Sequence, residues 1–120
     1  MTTNEELRQR TKRLALRLIR LVRSLPNRMD GQVIGRQLLR AGTSAAANYR
    51  ATCRARSKAE FVSKLSIVVE EMDETLFWLE LISESGMVQP ARIEGLMQEA
   101  NELTAIFASA RRTAKDGHRN

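Results

Sequence analysis

The stretch RAGTSAAANYRA, Arg40 to Ala51, contains no Leu, Ile, Val or Phe, yet it stands just before the middle of a 120-residue chain. Three readings compete: a linker, a phosphate-binding loop, or a helix built of small residues. A phosphate loop needs the full Gly-x-x-x-x-Gly-Lys-Ser/Thr frame between a strand and a helix, which Gly42-Thr43-Ser44 lacks. Stepping about 100° per residue from Arg36, the positions Arg40, Thr43, Ala47, Arg50 and Arg54 all fall within about 40° of it. The opposite side collects Ile34, Leu38, Gly42, Ala45, Ala46, Tyr49 and Cys53. A linker does not keep such segregation over five turns, so the stretch reads as helix, with small residues inward for close packing and arginines outward. Gly42 costs about 1 kcal/mol of helix propensity, which a close contact offsets.

The flanking sequence extends the same pattern. Ser57 and Glu60 form a capping box before the apolar run that starts at Phe61. Phe61, Leu65, Val68, Met72, Leu76 and Leu79 then carry a stripe to about Ser85, with Gly86 placed to end that helix. Upstream, Leu7, Leu14, Leu18, Leu21 and Leu25 share one face of a helix that must stop near Pro26, and Asp30 suits the N-cap of the next. Downstream, Pro90 suits a first helical position, and Ile93, Leu96, Met97, Ala100, Leu103 and Phe107 form a fourth stripe. The expectation is one all-α domain over residues 1–120. Its helices run at about 4–25, 30–54, 57–85 and 90–114 in an antiparallel up-down-up-down four-helix bundle, followed by a polar tail at 115–120.

Charge is unevenly spread. Residues 1–56 hold 13 Lys and Arg against 3 Asp and Glu, residues 57–85 hold 2 against 7, and residues 86–120 hold 5 against 4, for a chain net of +6. A basic first half favours polyanions, and the acidic third helix is a ready partner for it within the fold. That third helix is also apolar on a second face, where Ile67, Phe77, Trp78 and Leu81 lie among Glu70, Glu71 and Glu74. Either a second subunit covers them, or Trp78 covers a bundle edge in a monomer.

Catalytic chemistry finds little support. The only histidine, His118, stands in the tail, so the Glu-x-x-His pairs of di-metal bundles are missing. Ser44, Ser57 and Cys53 have no histidine to activate them, and the single cysteine forms no internal disulfide. The charged start has no apolar signal core, and no run approaches the ~20 residues of a membrane span, so a cytoplasmic protein without enzymatic activity, metal or cofactor is expected.

The segments QLLRAGTSAAAN (Gln37 to Asn48), RSKAEFVSKLSI (Arg56 to Ile67) and WLELISESGMV (Trp78 to Val88), with Glu74, resemble the four-helix-bundle proteins encoded in intervening sequences of bacterial 23S rRNA genes. The resemblance covers nearly the whole chain. It implies a left-handed bundle assembled as a ring-shaped homopentamer. It also implies kinship with the accessory proteins of diversity-generating retroelements, which share the fold and bind nucleic acid and a reverse transcriptase. Arg40, Ser44, Asn48 and Glu74 match the family's polar signature, for which a structural role is expected: an Arg40–Glu74 ion pair between helices, with Ser44 and Asn48 bonding across a close contact. Where many members continue Ile-Ala-Glu-Gly, this chain has Tyr49-Arg50-Ala51-Thr52, which predicts a second helix longer by about a turn.

Two functions remain in view. One is nucleic-acid binding of weak sequence specificity by Arg13, Arg17 and Arg20 of the first helix and Arg36, Arg50 and Arg54 of the second, with Arg10 and Arg23 alongside. The other is a protein-interaction module whose charged faces pair with a partner polypeptide or with neighbouring subunits.

Overall fold

A computed structural model describes residues 3–119; Asn120, the last residue of the expected tail, lies outside them. Helices α1 (Asn4–Arg23), α2 (Met29–Thr52), α3 (Lys58–Ser85) and α4 (Pro90–Arg119) follow one another with short connections. Each packs against its neighbours in chain order, and α1 and α4 close the ring, which makes an up-down-up-down four-helix bundle measuring 51 × 22 × 21 Å. The approach of α1 to α4 is the loosest of the four seams.

Local chemistry sets the ends. Thr3 caps α1, accepting from the Glu6 amide at 3.1 Å, while Glu6 accepts in return from the Thr3 amide. Ser57 caps α3 by accepting from the Glu60 amide at 3.1 Å, but the expected box is only half formed: the Glu60 carboxylate accepts from the Arg56 amide at 3.3 Å, one residue before the cap. Gly86 ends α3 at φ 76°, in the left-handed region where a side chain is strained. Asp30 does not cap α2: Arg28 holds the N-cap position, and Asp30 lies in the first turn, where its charge faces the positive end of the helix dipole. Helix α2 stops at Thr52, so Arg54 stands in the turn beyond it and the outward arginine stripe ends at Arg50. Helix α4 runs on through the segment expected to be a tail. Lys115, Asp116 and Gly117 there are exposed, and no proline interrupts the backbone ladder as far as Arg119.

The four stripes meet in one core, where Leu18, Leu38, Leu65, Met72, Leu79, Leu103 and Phe107 are fully buried. Tyr49 and Phe107 stack across the bundle with ring centroids 4.8 Å apart. The small inward face of α2 lies against α1. A methyl group added at Gly42 would overlap Leu18 Cδ1, and one at Gly35 would stand 3.0 Å from Val22 Cγ1 and 3.2 Å from Leu25 Cδ1. Ala41 and Ala45 are buried beside them. The opening stretch is thus a helix whose missing bulk lets α1 seat tightly.

Candidate polyanion-binding and self-association faces

The polar signature sits on the α2/α3 seam. Arg40 reaches from α2 to two carboxylates of α3, through Nη2 to Glu74 and through Nη1 to Glu71 at 3.4 Å. The hydrogen bond to Arg40 holds the Glu74 carboxyl below the usual carboxylate range, and Glu74 in turn raises the Arg40 guanidinium. The indole Nε1 of Trp78 donates to Glu74 at 3.4 Å. Among the described residues Ser44 and Asn48 do not bond across to another helix. Asn48 Nδ2 donates to the Ser44 carbonyl at 2.9 Å and to Ser44 Oγ at 3.0 Å, one turn back along α2. A side chain as short as Asn reaches the preceding turn of its own helix more readily than a neighbouring one.

The same seam fixes a register. Val33 lies two turns before Arg40 and Leu81 two turns after Glu74, so in an antiparallel pair they come level on the same outer face. Around them Met29 is 80 % exposed, Val33 54 % and Phe77 49 %. Phe77 meets Trp78 edge-on at 5.0 Å between ring centroids, while Trp78 and Leu81 are half-buried and Trp78 also packs on the core. Ile67, 41 % exposed, lies two turns from Glu74 in the other direction. Sequence periodicity singled out the α3 half of this apolar surface and missed Met29 and Val33. Their signal was present, because both fall on the outer, arginine-bearing side of the α2 wheel.

The arginines of α1 divide between two sides. Arg10, Arg17 and Ser24 recur every seven residues and face α4. Arg10 clamps Glu99 through Nε at 3.1 Å and Nη2 at 2.6 Å and adds Glu102 at 3.1 Å. Arg17 Nη2 lies over Gly95, where an added methyl would stand 3.1 Å from it, and Ser24 Oγ accepts from Arg92 at 2.9 Å. The Arg10 hydrogen bond holds the Glu99 carboxyl below its usual range, with Arg17 and Arg13 adding to the field, and Glu99 raises the Arg10 guanidinium. Arg10 is therefore committed to the fold rather than offered to a polyanion, and Arg17 is half-buried on the same seam. Arg13, Arg20 and Arg23 are exposed. On α2 Arg36 and Arg50 point outward, and among the described residues neither they nor Arg54 have an ion-pair partner within 4 Å.

The arginines expected on the two basic faces are partly dispersed: Arg17 belongs to the α1/α4 seam, Arg36 and Arg50 stay on the outer face of α2, and Arg54 stands in the turn after it. The Arg10 clamp had a sequence signature, the heptad spacing of α1 opposite Glu99 and Glu102 one turn apart on α4. Among the described residues no three His, Cys, Asp or Glu side chains come together as a metal site, and no helix is long and apolar enough to cross a membrane.

The sequence model of the 23S rRNA-intervening sequence proteins matches residues 3–109, which spans all of α1, α2 and α3 and most of α4. The chain belongs to that family. A crystal structure of a protein of unknown function from Bacteroides thetaiotaomicron, assigned to the S23 ribosomal protein family, is 30 % identical to it. The two superpose with a TM-score of 0.81 over 88 % of this chain and 97 % of the other. No curated protein matches the chain. For a member of the intervening-sequence family, the polar signature is here a scaffold device: Arg40 ties α2 to α3, and Asn48 and Ser44 bond within α2.

Proposed function

We propose that this intervening-sequence protein is a non-enzymatic helical bundle of the cytoplasm that self-associates, as a ring of five, and binds nucleic acid through its basic outer face. The observation that carries the nucleic-acid reading is that Arg36, Arg50 and Arg54 have no carboxylate partner among the described residues, whereas Arg40 alone is taken up by α3. Unpaired guanidinium groups on the α2 face (Arg36, Arg50) and in the turn after it (Arg54) suit phosphate, which they can grip bidentately. Self-association is supported by the exposed Met29, Val33 and Phe77 at one end of the α2/α3 seam, with Ile67 exposed further along α3, since exposed apolar residues of this size favour cover by a second protein surface. The number five rests on the family resemblance. A ring multiplies weak phosphate contacts through avidity.

Two measurements test the reading together. Light scattering on the purified chain is expected to give a mass five times that of the monomer, and a monomeric mass overturns the assembly. Retention of a structured RNA is expected at about 50 mM salt and should fall steeply as salt rises, with a logarithmic slope of about 0.9 per phosphate neutralised. No retention at low salt overturns nucleic-acid binding.

A further inference from the structure

Arg50 has company that the helical wheel of α2 does not show. Between the first half of α1 and the last turns of α2 lies a groove of about 360 Å³, floored by Ala46 and Ala47 and flanked by Arg8, Lys12 and Arg50. Three cations and one carboxylate, Glu5, line it. Arg8 and Lys12 stand one turn apart on the side of α1 turned toward α2, away from the Arg10 and Arg17 side that serves α4. Among the described residues Lys12 and Arg50 have no ion-pair partner, and Arg8 has only Glu5, three residues back on its own helix. The volume falls in the range of about 300–1,000 Å³ in which small ligands and ligand segments sit.

We propose that this α1/α2 groove is the seat of a phosphate group of the nucleic-acid backbone, held by Arg8, Lys12 and Arg50 above the alanine floor. The inference rests on the proposed nucleic-acid binding and names where it happens. The alanines matter because a larger side chain at either position would fill the space between the two basic walls; here methyl groups leave it open. No aromatic side chain lines the groove, so bases find nothing to stack on and the seat reads backbone rather than sequence. Glu5 acts as an internal competitor, holding Arg8 through an ion pair while Gln9 Nε2 donates to its other oxygen at 3.1 Å. An arriving phosphate takes Arg8 from Glu5.

The test measures the affinity of a fluorescein-labelled duplex RNA hairpin at about 50 mM salt, with circular dichroism confirming the fold of each variant. Arg50→Gln and Lys12→Gln are each expected to weaken binding several-fold and to lower the salt slope by about one phosphate contact. Ala47→Leu, at an exposed helical position and without any change of charge, is expected to weaken binding comparably, because it fills the floor. Glu5→Gln is expected to tighten it by freeing Arg8. Arg112→Gln, an equal loss of charge on the exposed face of α4, is the control expected to change little.

If RNA binds the wild type and Ala47→Leu and Arg50→Gln behave like Arg112→Gln, the groove is overturned and the nucleic-acid reading stands on the other arginines. A role for Arg50 only at the C-terminal end of the α2 dipole gives that same result for Ala47→Leu. If RNA fails to bind at all, nucleic-acid binding falls. The groove as a phosphate seat is then decided by an NMR titration with pyrophosphate, in which amide shifts clustered at Ala46, Ala47 and Arg50 support it and their absence overturns it.

Discussion

Against α2, helix α1 meets glycines and alanines; against α4 it meets carboxylates. On the first seam Leu18 fills the space left by Gly42, and Val22 and Leu25 sit over Gly35, so the helices approach by omitting side chains. On the second, the helices stand further apart and the gap is crossed by long side chains: Arg10 to Glu99 and Glu102, Arg17 over Gly95, Arg92 to Ser24. The first seam is set by shape, and its stability should hardly respond to pH or salt. The second is set by charge at a partly buried site, so it should respond to both.

The largest expected effect comes from forcing the shape-set seam. Gly42→Val places a branched side chain where Leu18, itself fully buried, has no room to yield, and should cost about 1–3 kcal/mol of stability in urea denaturation. The same substitution in a Leu18→Ala background should cost less; equal costs would show that the two residues do not share the space. Next comes Glu99→Gln on the charge-set seam. It removes one carboxylate from a clamp whose side chains are 21 % and 22 % exposed, and about 1–2 kcal/mol should be lost.

Acid probes the same clamp. Because the folded carboxyl of Glu99 titrates below its ordinary range of about 4.3, its contribution is fully present above that range and is lost as pH falls through the depressed folded value. Stability measured from pH 6 downward should therefore decline less steeply in Glu99→Gln than in the wild type. Identical acid limbs would remove Glu99 from the account. The smallest effect belongs to Arg40→Gln on the α2/α3 seam. Its guanidinium is 48 % exposed and solvent-screened, so denaturation curves with and without the substitution should nearly coincide at 1 M salt.

Much of this was open to reading before any fold was seen. The leucine spacing of α1, the Ser57 cap of α3, the terminating Gly86 and the paired faces of RAGTSAAANYRA all act within a few turns of one helix, where periodicity and capping chemistry suffice. So did Arg40 with Glu74, once the family resemblance had brought them together. The capping box Thr3-x-x-Glu6 is equally local and carries the same signature in the sequence. At the end of α4 hydrophilic composition does not distinguish a wet helix from a tail, and the helix runs on to Arg119.

What the chain by itself determined was which side of each helix is buried and which is wet. Only the tertiary structure decided which neighbour each wet side meets. Arg8, Lys12, Arg10 and Arg17 all belong to the polar surface of α1, and a rotation of a fraction of a turn separates them. Yet the first two line a groove with Arg50 while Arg10 is spent on Glu99 and Arg17 lies over Gly95. A helical wheel gives angles about one axis, whereas a site needs the distance between axes. In this bundle α1 seats against Gly35 and Gly42 of α2 on one side and reaches across to Glu99 and Glu102 of α4 on the other.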